Sequence, residues 1–499
     1  MAETFNNLVL GFSVSLTPLN LLYCFVGVLL GQIVGVLPGL GSAATIALLL
    51  PITFHIPATS AIIMLSGIWY GSMYGGSITS IVMRVPGEAA SVMTCVDGFE
   101  MARQGRAGPA LGIAAFGSFI AGTVGVVGLM FLAPPLAEFA LEFGPPEYFA
   151  LMALGLTLVS YLSAKSVPKA LCMAVLGLLL GTVGLDPVRS AERFSFGSLN
   201  LQAGIELVPV VMGLFGLAEV FLMLERRTRL EDVVQAPTGL MNLMPTRQDW
   251  RDSSGAIGRG TAIGFLVGIL PGVGATIASF VAYALEKRWS RHPERFGAGA
   301  IEGVAAPESA NNSATAAGFI TLLTLGIPGN VVTALMLGAF LLHGVTPGPT
   351  LLTQKPEMFW GVVTSMYVGN LMLLVLNIPL IGLFTRITRV PPSILGPLIV
   401  LVSLAGSYSV NNNPFDILVL VAFGAAGYLM AKFGYDAAPL VLGFVLGPML
   451  EMALRQSLVL SQGSFLVFFN RPIAACLLGL ALLTVISQLL PVSRRKAFS

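Results

Sequence analysis

The stretch GQIVGVLPGLGSAATIALLLP, residues 31–51, is apolar enough to lie in a membrane, yet it contains a Pro-Gly pair. A helix that crosses a bilayer needs about 20 apolar residues, and proline next to glycine interrupts a helix. A second stretch, GFLVGILPGVGATIASFVAYAL at residues 264–285, repeats the pattern: residues 31–41 match residues 264–274 at seven of eleven positions. The sequence therefore predicts two helices that break inside the membrane.

The composition is that of a membrane protein. Of 499 residues, 55% are hydrophobic and 10% are charged, whereas soluble domains are about 25% charged. We expect an all-α polytopic membrane protein with about 12–14 membrane segments, several of them too short to cross alone. The short segments should be half-helices or re-entrant hairpins, because irregular backbone is tolerated at membrane depth only inside protein or beside a wet cavity.

Further similarities between the two halves follow in the same order. RVPGEAASV, around Pro86 and Gly87, resembles GIPGNVVTA, around Pro328 and Gly329. A chain with such an internal repeat consists of two related units. The predicted division is a first transmembrane repeat at 11–230, a cytoplasmic linker at 231–254, a second transmembrane repeat at 255–470, and the end of the last helix with a cytoplasmic tail at 471–499.

The positive charges predict the orientation of the repeats. Cytoplasmic loops carry an excess of Lys and Arg, and arginines are concentrated at 226–251, between the halves. This places the linker and the C-terminus in the cytoplasm and the N-terminus in the periplasm. Corresponding loops, 133–147 without a basic residue and the loop near Arg386, then fall on opposite sides. We therefore expect inverted repeats.

Inverted repeats with discontinuous helices are typical of secondary transporters, whose sites lie near the bilayer midplane. A broken helix exposes unpaired N–H groups that can hold an anion and carbonyls that can hold a cation. An elevator-like cycle is our hypothesis by analogy. The alternatives are an anion channel and an anion transporter that works without a binding protein. Since no GxSxG, HExxH or paired intramembrane aspartates occur, we expect no enzymatic activity.

Polar clusters follow each break, in WYGSMYGGSITSIVMRVPGE (69–88) and APESANNSATAAG (306–318). Such clusters are suited to a carboxylate or a sodium ion, although small residues also allow close helix packing. If the repeats form one site, Ser77 and Thr79 should lie close to Asn311 and Ser313. Arg84 either pairs with a carboxylate, of the substrate or of Glu88, or anchors the chain at the cytoplasmic surface.

The two LPGxG phrases, YGGSITSI, DGFEMARQGRAGPALG, APESANNSATAAG and TLGIPGN together resemble the large membrane subunit of the tripartite tricarboxylate transporter family. The resemblance covers essentially the whole chain; Phe99-Glu100 departs from the usual Tyr-Pro. It implies uptake of small di- or tricarboxylates through the bacterial inner membrane, driven by an ion gradient. The implied partners are a small four-helix membrane subunit and a periplasmic solute-binding protein, with no nucleic acid.

The coupling ion is expected to be sodium, with protons as the alternative, and no cofactor is expected. A sodium site would lie near the residues that bind the substrate. The predicted substrate- and ion-binding residues are those of the two breaks, the two polar clusters and the second Pro-Gly loop: Gly35, Pro38, Gly39, Gly41, Thr45, Ser77, Thr79, Gly268, Pro271, Gly272, Gly274, Thr276, Asn311, Asn312, Ser313, Pro328 and Gly329.

Overall fold

A computed structural model describes residues 2–37, 40–162, 166–186, 188–225, 240–271, 274–387 and 390–489. The structure is 81% helical. Its one described sheet is a short antiparallel pair, in which β1 (Gly184–Leu185) faces β2 (Glu192–Arg193). The composition and the helix content together make this chain an all-α polytopic membrane protein.

The helices divide at the linker. Before it lie α1 (Ala2–Ser15), α2 (Pro18–Val36), α3 (Gly41–Thr53), α4 (Ala58–Met83), α5 (Thr94–Met101), α6 (Ala107–Ala140), α7 (Pro145–Leu162), α8 (Val167–Leu180), α9 (Leu199–Gln202), α10 (Leu207–Val211) and α11 (Ala218–Glu225). After it lie α12 (Leu240–Leu243), α13 (Arg247–Gly268), α14 (Gly274–Trp289), α15 (Glu302–Ile320), α16 (Val331–Leu342), α17 (Leu351–Gln354), α18 (Pro356–Ile387), α19 (Pro392–Asn411), α20 (Pro414–Lys432), α21 (Ala437–Leu460), α22 (Val467–Asn470) and α23 (Pro472–Leu489).

Among the described residues, seven helical segments are long and apolar enough to cross a membrane, and four shorter apolar helices accompany them. Large apolar side chains on the outer helices are well exposed, including Phe131 on α6, Leu401 on α19 and Leu482 on α23. Exposed apolar surface of this extent fits contact with lipid rather than with water. The count of about 12–14 segments stays a prediction.

Both breaks occur where the sequence predicts them. Helix α2 ends at Val36 and α3 begins at Gly41, while α13 ends at Gly268 and α14 begins at Gly274. Pro38, Gly39 and Gly272 lie outside the described residues. At 1.5 Å per residue, α3 is about 20 Å long, which is less than the hydrocarbon thickness of about 30 Å. Each break is therefore followed by a helix too short to span the membrane.

Two helices, α4 and α15, form the centre of the protein. Both are buried along almost their whole length, and the rings of Trp69 and Phe319 meet across them at 5.1 Å. Helix α2 packs on α4 and α13 packs on α15, while α6 packs on α15 and α18 packs on α4. The contacts made by one half are thus matched by contacts made by the other.

Asp97, at the start of the DGFE motif, ties the two halves together. Its Oδ1 accepts hydrogen bonds from the backbone N–H groups of Gly297, Gly299 and Ala300, at 2.8–2.9 Å. Its Oδ2 accepts the hydroxyl of Tyr283 at 2.8 Å. A buried carboxylate needs such donors, so Asp97 holds the segment before α15 against α5.

Candidate functional site

The two short helices that follow the breaks begin in the same way. Gly41 opens α3 with φ of +51° and Gly274 opens α14 with φ of +66°, a left-handed conformation that glycine adopts without strain. The first N–H groups of an α-helix have no partner within the helix, and the helix dipole makes this end positive. Each break therefore presents backbone donors to whatever lies in front of it.

The Pro-Gly loops bring one side chain to each of these helix ends. In the first half, the carboxylate of Glu88 accepts a hydrogen bond from the backbone N–H of Ser42. In the second half, the corresponding residue is Asn330, whose Nδ2 lies 3.8 Å from the point that a Cβ on Gly274 would occupy. A Cβ on Gly87 would lie 1.9 Å from the carbonyl oxygen of Gly35, so only glycine lets the first loop approach this closely.

One cavity of about 810 Å³ connects the two helix ends. It is lined by residues 41–44 of α3, residues 274–277 of α14, residues 86–90 of the first Pro-Gly loop and residues 330–332 after the second. The described lining contains the acidic residues Glu88, Glu219 and Asp436 and no Lys, Arg or His. Backbone amides and hydroxyls, rather than basic side chains, are therefore the donors that this cavity offers to an anion.

A second polar centre surrounds Glu308, which is fully buried on α15. Its Oε2 accepts the hydroxyl of Ser77 at 2.6 Å and the amide of Asn311 at 3.2 Å. Its Oε1 accepts the hydroxyl of Thr94. No Lys, Arg or His pairs with Glu308 within the described ranges. Three donors thus hold a carboxylate whose charge has no basic counterpart there.

The structure divides the predicted site residues into groups. Gly41, Gly274 and Thr276 line the cavity, and Ser77 and Asn311 meet at Glu308. The prediction also named Thr79 and Ser313, but of these four described residues only Ser77 and Asn311 hydrogen-bond to the Glu308 carboxylate. The remaining predicted residues that are described do not line the cavity: Gly35, Thr45, Thr79, Gly268, Pro271, Asn312, Ser313, Pro328 and Gly329.

Several of these remaining residues have local roles. Thr79 donates to the carbonyl of Gly76 at 3.1 Å, and Thr45 donates to the carbonyl of Gly41 at 2.9 Å. Asn312 donates to Ser118 of α6 at 2.8 Å, and Ser313 packs beside Gly125 of the same helix. Asn312 therefore serves the contact between α15 and α6, while the buried Oγ of Ser313 has no hydrogen-bond partner among the described residues.

Gly35 and Gly268 belong to helix packing. A Cβ on Gly35 would lie 2.3 Å from the carbonyl oxygen of Ser72 on α4, and one on Gly268 would lie 2.5 Å from the Cα of Ala314 on α15. Small residues permit this backbone contact between membrane helices. Gly35 and Gly268 therefore fit the alternative interpretation, in which small residues allow two helices to pack closely.

Sequence reasoning did not place Glu88 and Asn330 in the site. A usable signal existed, because both residues directly follow a Pro-Gly pair in matching segments of the two halves. Arg84 is exposed, and its guanidinium lies 5.8 Å from the centre of the Phe99 ring. No ion pair between Arg84 and Glu88 occurs in the described part of the chain, so the surface anchor fits its position better.

A polytopic helical protein with a cavity between two broken helices has the architecture of a membrane transporter. The pattern of the tripartite tricarboxylate transporter TctA family matches residues 21–442. The chain belongs to this family. Its members are components of tripartite transporters, so partner subunits are implied.

Two curated relatives come from Agrobacterium vitis. One, described as an uncharacterized 52.8 kDa protein in the TAR-I ttuC' 3' region, is 51% identical over 496 residues, covering 99% of this chain and 98% of the relative. The other, described as an uncharacterized protein in the TAR-II ttuC' 3' region, is 52% identical over 233 residues, covering 47% of this chain and 96% of the relative. No solved structure matches this chain.

Proposed function

We propose that this protein carries small di- or tricarboxylates across the bacterial inner membrane by secondary active transport. The observation that carries the proposal is the single cavity of about 810 Å³ that reaches the first turns of both α3 and α14. Helix N-termini bind carboxylates through backbone N–H groups and the helix dipole. The α14 end is open to one substrate carboxylate, and the α3 end can take a second one in exchange for the carboxylate of Glu88, which accepts from the N–H of Ser42.

The matching contacts of the two halves support an inverted-repeat arrangement of the kind that secondary transporters use. In our proposal the two breaks, the short helices α3 and α14 and the Pro-Gly loops form a moving unit. Long outer helices such as α6 and α18 form the scaffold. Movement of this unit past the scaffold would expose the cavity to each side in turn, as in an elevator-like cycle.

Coupling to an ion gradient would take place at Glu308. A buried carboxylate without a basic partner is costly unless a proton or another cation neutralises it. The hydroxyl oxygens of Ser77 and Thr94 lie against this carboxylate. Oxygen atoms of this kind are suitable ligands for a sodium ion. We propose sodium as the coupling ion, with a proton on Glu308 as the alternative.

The proposed partners follow from the family. A periplasmic solute-binding protein would deliver the carboxylate and a small four-helix membrane subunit would accompany this chain. Reconstitution into liposomes with both partners tests the proposal, with labelled succinate and citrate as probes under separate sodium and proton gradients. We expect accumulation against a concentration gradient, driven by sodium and dependent on the binding protein.

The outcomes separate the alternatives. An anion channel would equilibrate the label without accumulating it, and its flux would not need the binding protein. Sodium coupling also requires reciprocity: sodium must raise the affinity for substrate by the factor by which substrate raises the affinity for sodium. Substrate affinity that ignores sodium, in a preparation that binds substrate, would leave protons as the coupling ion.

A further inference from the structure

The two ends of the cavity are chemically different. The residue after each Pro-Gly pair faces the start of a short helix, and it is Glu88 in one loop and Asn330 in the other. The Glu88 carboxylate accepts from the N–H of Ser42, and its Oε2 lies 3.7 Å from the position of a Cβ on Gly41. A negative carboxylate at this point satisfies helix donors and neutralises the positive helix end.

At the α14 end, the facing loop residue is Asn330, and its side chain presents a hydrogen-bond donor to the helix end rather than an acceptor. The Oδ1 of Asn330 accepts the N–H of Thr333 at 3.0 Å, which caps α16. That bond leaves Nδ2, a donor, as the atom 3.8 Å from the Cβ position of Gly274. Here a side-chain donor and the first-turn amides face the same space, and this combination favours an anion from outside the protein.

We infer that Glu88 acts as an internal competitor for substrate carboxylates and so determines specificity. It holds the α3 end with the protein's own carboxylate, while a substrate carboxylate binds at the α14 end. A second substrate carboxylate reaches the α3 amides only by displacing Glu88. The described lining offers no basic side chain to stabilise two carboxylates there. The inference rests on the proposed function and names a determinant of it.

The test compares the full-length wild-type protein with three variants and one control variant by equilibrium binding. Butyrate and succinate are the probes, because they share a four-carbon chain and differ by one carboxylate. Glu88→Asn gives the first loop the residue of the second, and Glu88→Gln removes the charge at nearly constant size. In both variants we expect succinate to bind about tenfold tighter or more, because the charge-assisted hydrogen bond of Glu88, which succinate must otherwise displace, lowers its affinity by about that factor. Butyrate affinity should change by less than about threefold, since one carboxylate needs only the α14 end.

The reverse change is Asn330→Asp, which puts a carboxylate at the α14 end and still caps α16. It should abolish binding of both acids. Asn413→Asp is the matched control, because Asn413 caps α20 by accepting from the N–H of Phe415 at 3.0 Å and does not line the cavity. Thermal melting without ligand verifies that each variant is folded.

Each outcome decides the inference. An unchanged ratio of succinate to butyrate affinity in folded Glu88→Asn and Glu88→Gln overturns it, as does weaker succinate binding. Another outcome is that the wild-type protein and Asn413→Asp bind succinate while the ratio of succinate to butyrate affinity is unchanged in the Glu88 variants. In that case the proposed function stands and only the role of Glu88 is lost. If the wild type binds neither acid nor citrate at millimolar concentrations, the proposed function fails and the inference fails with it.

Discussion

At the scale of single residues, Glu308 is the most consequential side chain in the proposed transport cycle. It is fully buried, and its described partners are the donors Ser77, Thr94 and Asn311. These partners come from α4, α5 and α15, so the carboxylate joins both halves of the chain. A change in the charge of Glu308 would therefore alter hydrogen bonds to all three helices.

Ser77→Ala should raise the sodium concentration needed for half-maximal uptake by about tenfold or more. The prediction follows if the Ser77 hydroxyl oxygen, which lies beside the carboxylate, is a sodium ligand, because sodium then loses one of its oxygen ligands. Uptake by proteoliposomes across a sodium series measures the shift. Ser66→Ala is the control, because Ser66 is equally buried on α4 but donates to the carbonyl of Ile62. Equal sodium requirements in the two variants would contradict a role for Glu308 in coupling to sodium.

Asp186, in the turn before β2, has a different role. It accepts from the N–H groups of Arg189 and Val188 at 2.9 and 2.8 Å and from Arg455 of α21 at 2.7 Å. The hydrogen bond from the Arg189 backbone, followed by those from Arg455 and Val188, holds the pKa of Asp186 well below its ordinary value. This carboxylate therefore ties the loop to α21 while it is ionised.

Asp186→Asn should lower the melting temperature at neutral pH. A depressed pKa in the folded state means that the stabilisation is present above the ordinary pKa of about 3.9 and is lost as the pH falls towards the lower folded value. The difference between wild type and variant should therefore shrink below about pH 4. Melting curves of the purified protein across pH measure it. The control is Asp252→Asn, whose carboxylate accepts from Gln248 alone among the described side chains; a difference that stays constant into acid would contradict the account.

At the scale of elements, glycines every four residues let α2 and α13 lie directly on the backbones of α4 and α15. A Cβ at any of these glycines would lie within 2.6 Å of a backbone atom of the facing helix. The positions recur with the same spacing in both halves, which places the two contacts in equivalent parts of the repeat. The glycines are Gly27, Gly31 and Gly35 on α2 and Gly260, Gly264 and Gly268 on α13.

Gly264→Ala should destabilise the protein by about 1–3 kcal/mol, the usual range for overpacking. Its Cβ would lie 2.2 Å from the carbonyl oxygen of Ala310, so α13 and α15 must separate. Gly258→Ala is the control on the same helix, since its Cβ would meet nothing within 4 Å. Thermal melting in detergent compares the two variants. Equal melting temperatures would show that the helices can part at little cost.

At the scale of the whole molecule, the distribution of positive charges predicts that the linker lies on the cytoplasmic side. Thr238→Cys, which lies outside the described residues, should react with a membrane-impermeant maleimide only after the cells are opened. Asn412→Cys, in a loop expected in the periplasm, should react in intact cells. The exposed Cys172 and Cys476 are replaced by serine beforehand. Labelling of position 238 in intact cells would reverse the proposed topology.

The sequence by itself was enough for the membrane class, the two breaks and the family resemblance. These features depend on composition and on local rules: apolar length, and the effect of Pro-Gly on a helix. Gly41 and Gly274 could be placed at the breaks for this reason, and the structure begins a helix at each. The pairing of Ser77 with the cluster at Asn311 was also within reach, because the repeat relates the two segments.

Only the tertiary structure decided which side chains face each break. Glu88 lies 46 residues from Ser42 in the chain, and Ser77 lies 231 residues from Glu308, so no local pattern shows either contact. The same packing placed Gly35 and Gly268 between helices rather than in the cavity, although they share a phrase with Gly41 and Gly274. A sequence phrase determines where a helix can break. Which atoms then meet depends on how distant helices pack, because contacts across a core are set by three-dimensional fit.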